Sequence, residues 1–352
     1  MKAARIAGLG RYVPKRVVTN DDLARKLDSS DQWIRERTGI RERRLAAEDE
    51  TASSMGVLAA QEALAMAGVD GADLDLIIVA TATGDALFPP VSCLIQERLG
   101  ASRAAAFDIG AACVGFVAAL ATASQFIATG AARRVLVVGS EVLSRIVDWS
   151  DRATCVLFGD GAGAALLEAS DTGRGVPLSF VLHSDGGGAD ILYAQGPSSA
   201  RSPVPAPHYF VVMDGPAVFK FAVNAMEGAV REALGKAGLT PADVDLFVPH
   251  QANQRIISAA ARALGLPPEK VVTNIDRYGN TSAASIPIAL CEALEQGRLR
   301  EGDRVALAAF GGGLVWGAMI LEWTAVGPRA SERTAVAEPV GGGDRSDGGR
   351  GV

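Results

Sequence analysis

The sequence predicts an α/β protein built from two similar halves, and four observations carry that reading. The 352 residues are enough for one large or two ordinary domains. Their 49% hydrophobic, 21% charged and 5% aromatic content is that of an ordinary soluble chain rich in Ala, Val and Gly. A segment then repeats: "EALAMAGVDGADLDLIIV" at 62–79 and "EALGKAGLTPADVDLFVP" at 232–249 share Glu-Ala-Leu, Ala-Gly, Ala-Asp and Asp-Leu, all at an offset of 170. Finally, "RRVLVV" at 133–138 and "DRVALA" at 303–308 keep the same offset.

Taken in order, each copy of the repeat reads as the end of an amphipathic helix, a Gly stop, a short connection and a buried strand. The runs at 133–138 and 303–308 read as further buried strands. "DIGAACVGFVAAL" at 108–120 passes from small residues into an apolar helix, and "YGNTSAASIPIAL" at 278–290 does the same from a Gly-containing turn. The offset makes Ala283 the counterpart of Cys113 and places Asn280 on the loop into the second of these helices. The expected division is residues 1–170, 171–326 and a disordered Gly-, Pro- and charge-rich tail at 327–352.

A net charge of −6 argues against a general nucleic-acid binder. "MKAARIAGLGRYVP" meets Gly and Pro before a secretory apolar region could develop. No apolar run approaches the roughly 18 residues of a membrane span. Cys93, Cys113, Cys155 and Cys291 are spaced as neither a disulfide framework nor a zinc site. A reduced, cytoplasmic protein without metal, membrane or nucleic acid is expected.

Chemistry converges from separate places. Cys113 opens a helix, where the dipole and free N–H groups favour thiolate character. Of three histidines, His183, His208 and His250, the last stands at a strand's carboxyl end, before "HQANQRII". "AFGGGLVWG" at 309–317 offers backbone N–H groups without Cβ interference. A cysteine nucleophile, neutral His and Asn donors and an oxyanion site suit acyl transfer between thioesters. A buried structural cysteine, a surface histidine and a tight glycine turn remain the plain alternatives.

Six motifs in order, "WIRERTGIRERR", "DIGAACVGF", "FGDGAGAALL", "HQAN", "YGNTSAAS" and "FGGGLVWG", make the chain resemble the β-ketoacyl-[acyl-carrier-protein] synthase III family from "GLGRYVP" to "ILEW". The resemblance implies a thiolase-like fold with a layered αβαβα core. It implies a homodimer that uses acyl-CoA and malonyl-acyl-carrier protein as substrates and needs no cofactor. Matched by position, Cys113, His250 and Asn280 are the catalytic residues, with Cys113 and Gly312 as oxyanion donors. Trp33, Arg37, Arg152, Gly215, Phe219 and Asn253 match contacts to CoA and pantetheine. Pro216 departs from the pattern, standing where many relatives carry Asn. Phe88, Leu143, Leu157 and Phe158 match the acyl pocket, Phe88 reaching it across the dimer. Lys220, Arg255 and Arg262 suit an acidic carrier protein.

Rival readings share the fold. A polyketide starter synthase, or an acyltransferase to a non-malonyl acceptor, would keep Cys113 and His250. A degradative thiolase wants a second cysteine, and "GGGLVWG" has none; hydroxymethylglutaryl-CoA synthase wants a Glu, and "ATATGDALFPP" has none. A non-catalytic scaffold would have lost the reactive residues.

Overall fold

The structure is a computed structural model describing residues 3–172, 175–196 and 210–327. His208 and the expected tail beyond Gly327 lie outside the described residues. The chain begins with β1 (Ala4–Tyr12), then a pair of short strands, β2 (Arg16–Thr19) and β3 (Glu42–Leu45), enclosing α1 (Asn20–Ala24) and α2 (Asp31–Thr38). Helix α3 (Ala52–Ala67) precedes β4 (Leu76–Ala80), α4 (Val91–Arg98) precedes β5 (Ala105–Ile109), and α5 (Gly115–Ala128) precedes β6 (Arg134–Glu141) and β7 (Gly161–Ala169). Next come β8 (Ser179–Ser184), the small pair β9 (Leu192–Ala194) and β10 (Val211–Met213), and α6 (Gly215–Lys236). The order finishes with β11 (Leu246–Pro249), α7 (Gln254–Leu264), α8 (Ile275–Tyr278), α9 (Ser285–Glu295), β12 (Arg304–Gly311) and β13 (Val315–Glu322).

Two sheets result. The first has the order β1-β7-β6-β4-β5; the second, read in the matching direction, is β8-β13-β12-β11. In each, two antiparallel pairings are followed by parallel pairing, two such pairings in the first sheet and one in the second. A single parallel bridge from Phe247 to Val271 stands at the edge that β5 occupies in the first sheet. The Gly stops are where the repeat puts them: Gly68 caps α3 at φ 67 and Gly238 follows α6 at φ 69, values a Cβ disfavours.

Alternation on the central strands sets the layers. On β6, Val135 and Val137 face one core while Leu136 and Val138 face another. On β12, Val305, Leu307 and Ala309 join the first of these cores, and Ala306, Ala308 and Phe310 a third. A strand buried on both faces reads as a continuous apolar run, which is why these segments show no polar alternation. The shared core lies between the sheets and holds α5 and α9; α3 and α4 cover the outer face of one sheet, and α6 and α7 that of the other. This is the αβαβα stack of a thiolase-like fold. Among the described residues no helix is long and apolar enough to cross a membrane.

The first sheet meets the turn that opens α9 by backbone contact. A Cβ added at Gly139 on β6 would stand 2.4 Å from the Ala283 carbonyl oxygen, so only glycine fits there. Gly139→Ala should therefore lower the unfolding free energy by about 1–3 kcal/mol, as overpacking does. Gly228→Ala, inside α6 where nothing lies within 4 Å of the added carbon, should instead raise it by about 0.5–1 kcal/mol. Urea unfolding of both variants checks the pair.

Candidate active site

Cys113 and the second half's counterpart segment are presented by the same backbone device. A short 3-10 turn, Ala112–Val114, runs into α5, and another, Ser282–Ala284, runs into α9. Ala112 has φ 43 and Ser282 φ 48, the non-glycine positive values among the described residues. Such a conformation costs a side-chain-bearing residue about 1–2 kcal/mol. Gly311, ending β12, lets the first turn come close: a Cβ there would lie 2.9 Å from the Cys113 amide nitrogen.

A cavity of about 970 Å³ opens at this point, and Cys113, His250, Asn280 and Gly312 all line it. Leu143, Leu157 and Phe158 line it as well, as do Trp33, Arg37, Gly215, Phe219, Asn253 and Arg255. The geometry thus brings together most of the residues expected from sequence. Arg152 is not among the lining residues; its guanidinium lies over the Trp33 ring at 4.9 Å, and that of Arg37 at 4.4 Å. Three further positions stand apart. Phe88 is 83% exposed on the loop before α4, Lys220 borders a separate hollow with Phe221 and Trp316, and Arg262 is exposed on α7.

Each of these residues is held by its neighbours. The His250 backbone N–H donates to the Ala308 carbonyl at 2.8 Å, tying the end of β11 to β12. The His250 Nδ1 meets the Ser285 hydroxyl at 2.6 Å, and Phe310 packs edge-on to the ring at 5.7 Å. Its Nε2 is buried without a hydrogen-bond partner. The Asn280 Oδ1 accepts from the Ser282 N–H at 2.8 Å, which leaves the amide NH₂ as the end available to the cavity. The Asn280 backbone is paired with the 157–159 loop: its N–H donates to Leu157, and Gly159 donates to its carbonyl.

Behind that loop stands Arg43, fully buried although the sequence places it in a run of charges. Its guanidinium donates to the Val18 and Val156 carbonyls and to the Asn20 Oδ1. Burial pulls it down to about 10. Asn253 also has structural work: it caps α7 through the Arg255 N–H and donates to the Arg37 carbonyl at 3.0 Å. Pro216 sits in the first turn of α6, where its missing N–H costs nothing.

The electrostatics correct one expectation. Burial pushes the Cys113 thiol up to about 12, the charge of Glu141 adding to it and a hydrogen bond from Ser282 opposing it. The resting sulfur is therefore a thiol; desolvation outweighs whatever the helix terminus contributes. Burial likewise draws His250 down to about 3, so its ring is neutral at physiological pH. Ser285, Ser282, Phe310 and Glu141 are site residues that sequence reasoning passed over. The first three lay inside motifs already singled out, and Glu141 was signalled only as an acidic end to an apolar strand.

Two family models match. Residues 107–195 match "3-Oxoacyl-[acyl-carrier-protein (ACP)] synthase III" and residues 234–323 its C-terminal region. The chain is 55% identical over 323 residues to a β-ketoacyl-[acyl-carrier-protein] synthase III of Symbiobacterium thermophilum, covering 90% of this chain and 97% of that protein. Its fold is similar to the crystal structure of 3-oxoacyl-[acyl-carrier-protein] synthase III from Aquifex aeolicus, with a TM-score of 0.86 and 48% identity over 91% of this chain and 100% of the other. It is also similar, at TM-score 0.86 and 42% identity over 92% and 97% of the two chains, to the priming β-ketosynthase of the R1128 polyketide pathway.

The neutral imidazole has a thermodynamic signature. An unfolded histidine takes up a proton near pH 6.5, whereas His250 in the fold does so only at about 3. Between those values the unfolded state binds more protons, so stability falls as pH falls. The slope from this residue should reach about 1.4 kcal/mol per pH unit. His250→Asn should lose less stability than the parent between pH 6 and 4, measured by urea unfolding at each pH.

Proposed function

The chain belongs to the 3-oxoacyl-[acyl-carrier-protein] synthase III family, and from that premise we propose how its residues divide the reaction. It condenses an acyl-CoA starter with malonyl-acyl-carrier protein to give a 3-ketoacyl-carrier protein and CO₂, the initiating step of fatty-acid synthesis. The observation that carries the assignment is the convergence of Cys113, His250, Asn280 and Gly312 on one cavity.

Cys113 attacks the acyl-CoA carbonyl and becomes acylated. The N–H groups of Cys113 and Gly312 receive the oxyanion, one such donor being worth about 3–4 kcal/mol. CoA then leaves, and the malonyl thioester takes its place. The Ser285 hydroxyl, which faces the Gln251 N–H at 3.4 Å, donates to His250 Nδ1 and so keeps the ring proton on Nε2. That Nε2–H and the Asn280 amide polarise the malonyl thioester carbonyl, which stabilises the enolate left when CO₂ departs. Neutral donors suit this step, because the enolate forms by loss of CO₂ and no carbon-bound proton has to be removed. The enolate carbon attacks the acyl-cysteine and frees the sulfur.

Trp33, Arg37, Arg152, Gly215, Phe219 and Asn253 serve the CoA and pantetheine moieties. Arg152 already lies over Trp33, so an adenine entering between them displaces its guanidinium. Leu143, Leu157 and Phe158 line the acyl pocket. Exposed Lys220, Arg255 and Arg262 receive the acidic carrier protein. Leu87 and Phe88, 77% and 83% exposed, are covered by a second subunit in a cytoplasmic homodimer. Residues 1–170 and 171–326 are two duplicated halves, the first bearing the nucleophile and the second His250 and Asn280.

A polyketide priming role is the second reading, favoured by the 42% identity to the R1128 enzyme; it uses the same residues and differs in the starter. Intact mass after incubation with a panel of acyl-CoAs, then a chase with malonyl-carrier protein, tests both. An adduct on Cys113 that the chase converts to ketoacyl product and CO₂ is expected, and the preferred donor names the starter. An adduct that survives the chase points to acyl transfer elsewhere. Asn280→Ala should still acylate, yet release CO₂ roughly 100- to 1,000-fold more slowly, the usual cost of removing one such donor.

A further inference from the structure

The reaction above asks two side chains from separate segments to meet at one oxygen. The His250 Nε2 and the Asn280 amide must both come within hydrogen-bond reach of the malonyl thioester carbonyl, and a misplacement of about 1 Å costs such a step roughly 100-fold. His250 follows β11, whereas Asn280 follows α8. Away from the cavity, a closed circuit of buried polar groups joins the two segments. The Gln251 Nε2 donates to the Pro249 carbonyl at 2.8 Å and to that of Val272 at 3.2 Å, and its Oε1 accepts from the Asn274 N–H at 3.0 Å. The Asn274 Nδ2 donates to the Glu292 Oε2 at 3.0 Å. Glu292 stands on α9, whose first residue, Ser285, meets the His250 Nδ1. The circuit thus closes on the residue next to Gln251. Gln251, Asn274, Ser285 and Glu292 are all buried, and none of the four lines the cavity.

Glu292 also reaches toward Asn280. The Tyr278 hydroxyl, two residues before Asn280, donates to the Glu292 Oε1 at 2.7 Å. Arg277 donates to both carboxylate oxygens at 2.8 and 2.7 Å, and Arg11, from β1, stands 2.7 Å from Oε1. Burial acts to raise this carboxyl, but the bonds from Tyr278, Asn274 and Arg277 and the Arg277 charge hold it below the ordinary carboxylate range. It is ionised near neutral pH. One carboxylate therefore gathers the side chains of α8 and of its N-cap, Asn274. The chain beyond is packed tightly: a Cβ at Gly279 would lie 2.8 Å from the Leu157 carbonyl oxygen, and one at Gly159 would lie 2.2 Å from that of Tyr278. A shift of Tyr278 passes to Asn280 through a single glycine.

We propose that Glu292 is a positioning residue for decarboxylation, fixing Asn280 against His250 through Tyr278 on one side and through Asn274 and Gln251 on the other. An apolar side chain would pack α8 against α9 as well; the carboxylate adds direction, because its two oxygens take charge-assisted and neutral hydrogen bonds from three residues at set angles. Cys113 stands outside the circuit. It is carried by the turn into α5 and supported from β12 at Gly311. Disturbing Glu292 therefore acts on enolate formation and spares acylation, a division that a general loss of stability does not produce.

This inference rests on the thioester reading, and the test separates the two. Acylation of Cys113 by the acyl-CoA that labels it best is followed by intact mass, and CO₂ release from malonyl-carrier protein by the acylated enzyme is timed separately. Glu292→Gln should acylate within about twofold of the wild-type rate and release CO₂ roughly 100-fold more slowly. Tyr278→Phe keeps the aromatic ring and removes one donor; it should acylate normally and release CO₂ about tenfold more slowly. Because Tyr278 acts through Asn280, the double variant Tyr278→Phe/Asn280→Ala should release CO₂ no more slowly than Asn280→Ala alone. The positioning role is overturned if folded Glu292→Gln or Tyr278→Phe releases CO₂ at the wild-type rate, or if acylation slows by the same factor as CO₂ release. It is equally overturned if Tyr278→Phe costs Asn280→Ala as much as it costs the wild type. Should Glu292→Gln fail to fold, Tyr278→Phe and the double variant decide. Failure of every acyl-CoA to label wild-type Cys113 overturns the thioester reading, and the positioning role with it.

Discussion

Backbone pressed directly against backbone is the constraint on which the rest depends. Gly139 of β6 lies against the Ala283 carbonyl, and Gly311 of β12 lies against the Cys113 amide. Without side chains at these two points the central helices α5 and α9 can start side by side, in the layer shared by both sheets. The residues that line the cavity hang from that meeting: Cys113 on one turn, Ser282 and Asn280 at the other, and His250 fixed to β12 through Ala308. Because the supports are strands and helix starts within a packed core, the side chains inherit the rigidity of the sheets.

The second governing fact is dryness. His250 and Glu141 are buried and Cys113 half-buried at the cavity wall, and desolvation is the leading influence on all three. Burial keeps the sulfur protonated and the imidazole uncharged until a substrate arrives. The same low-dielectric surroundings make each donor aimed at an oxyanion more effective than it would be in water. The reactivity of the site is therefore a property of the substrate complex, and the resting thiol is guarded against adventitious electrophiles.

Much of this was legible in the sequence, for identifiable reasons. The strands β6 and β12 were readable because both faces are covered, so their side chains are apolar without interruption. The duplicated helix–stop–strand segments were readable because helix ends demand glycine at positive φ, and Gly68 and Gly238 supply it. Cys113, His250, Asn280 and Gly312 could be singled out because each sits at a junction between regular elements. What could not be read were properties set by burial. Charge runs in sequence suggest solvent, yet Arg43 is enclosed by carbonyls. A helix-terminal cysteine suggests a thiolate, yet desolvation reverses that. Glu141 looked like an ordinary strand end, since nothing local reveals that its carboxylate takes hydrogen bonds from Ala82 and Thr83, far back in the chain.

The two strained turns bear on what backbone strain marks. Left-handed backbone at a reactive residue is commonly read as distortion recruited for chemistry. Here Ala112 precedes Cys113 and Ser282 precedes Ala283, yet both are bent alike. The bend therefore comes with the repeated frame of the two halves and is no signature of a reactive side chain. The same elbow presents a sulfur in one half and a bare methyl group in the other, so backbone strain by itself would have pointed with equal force at both.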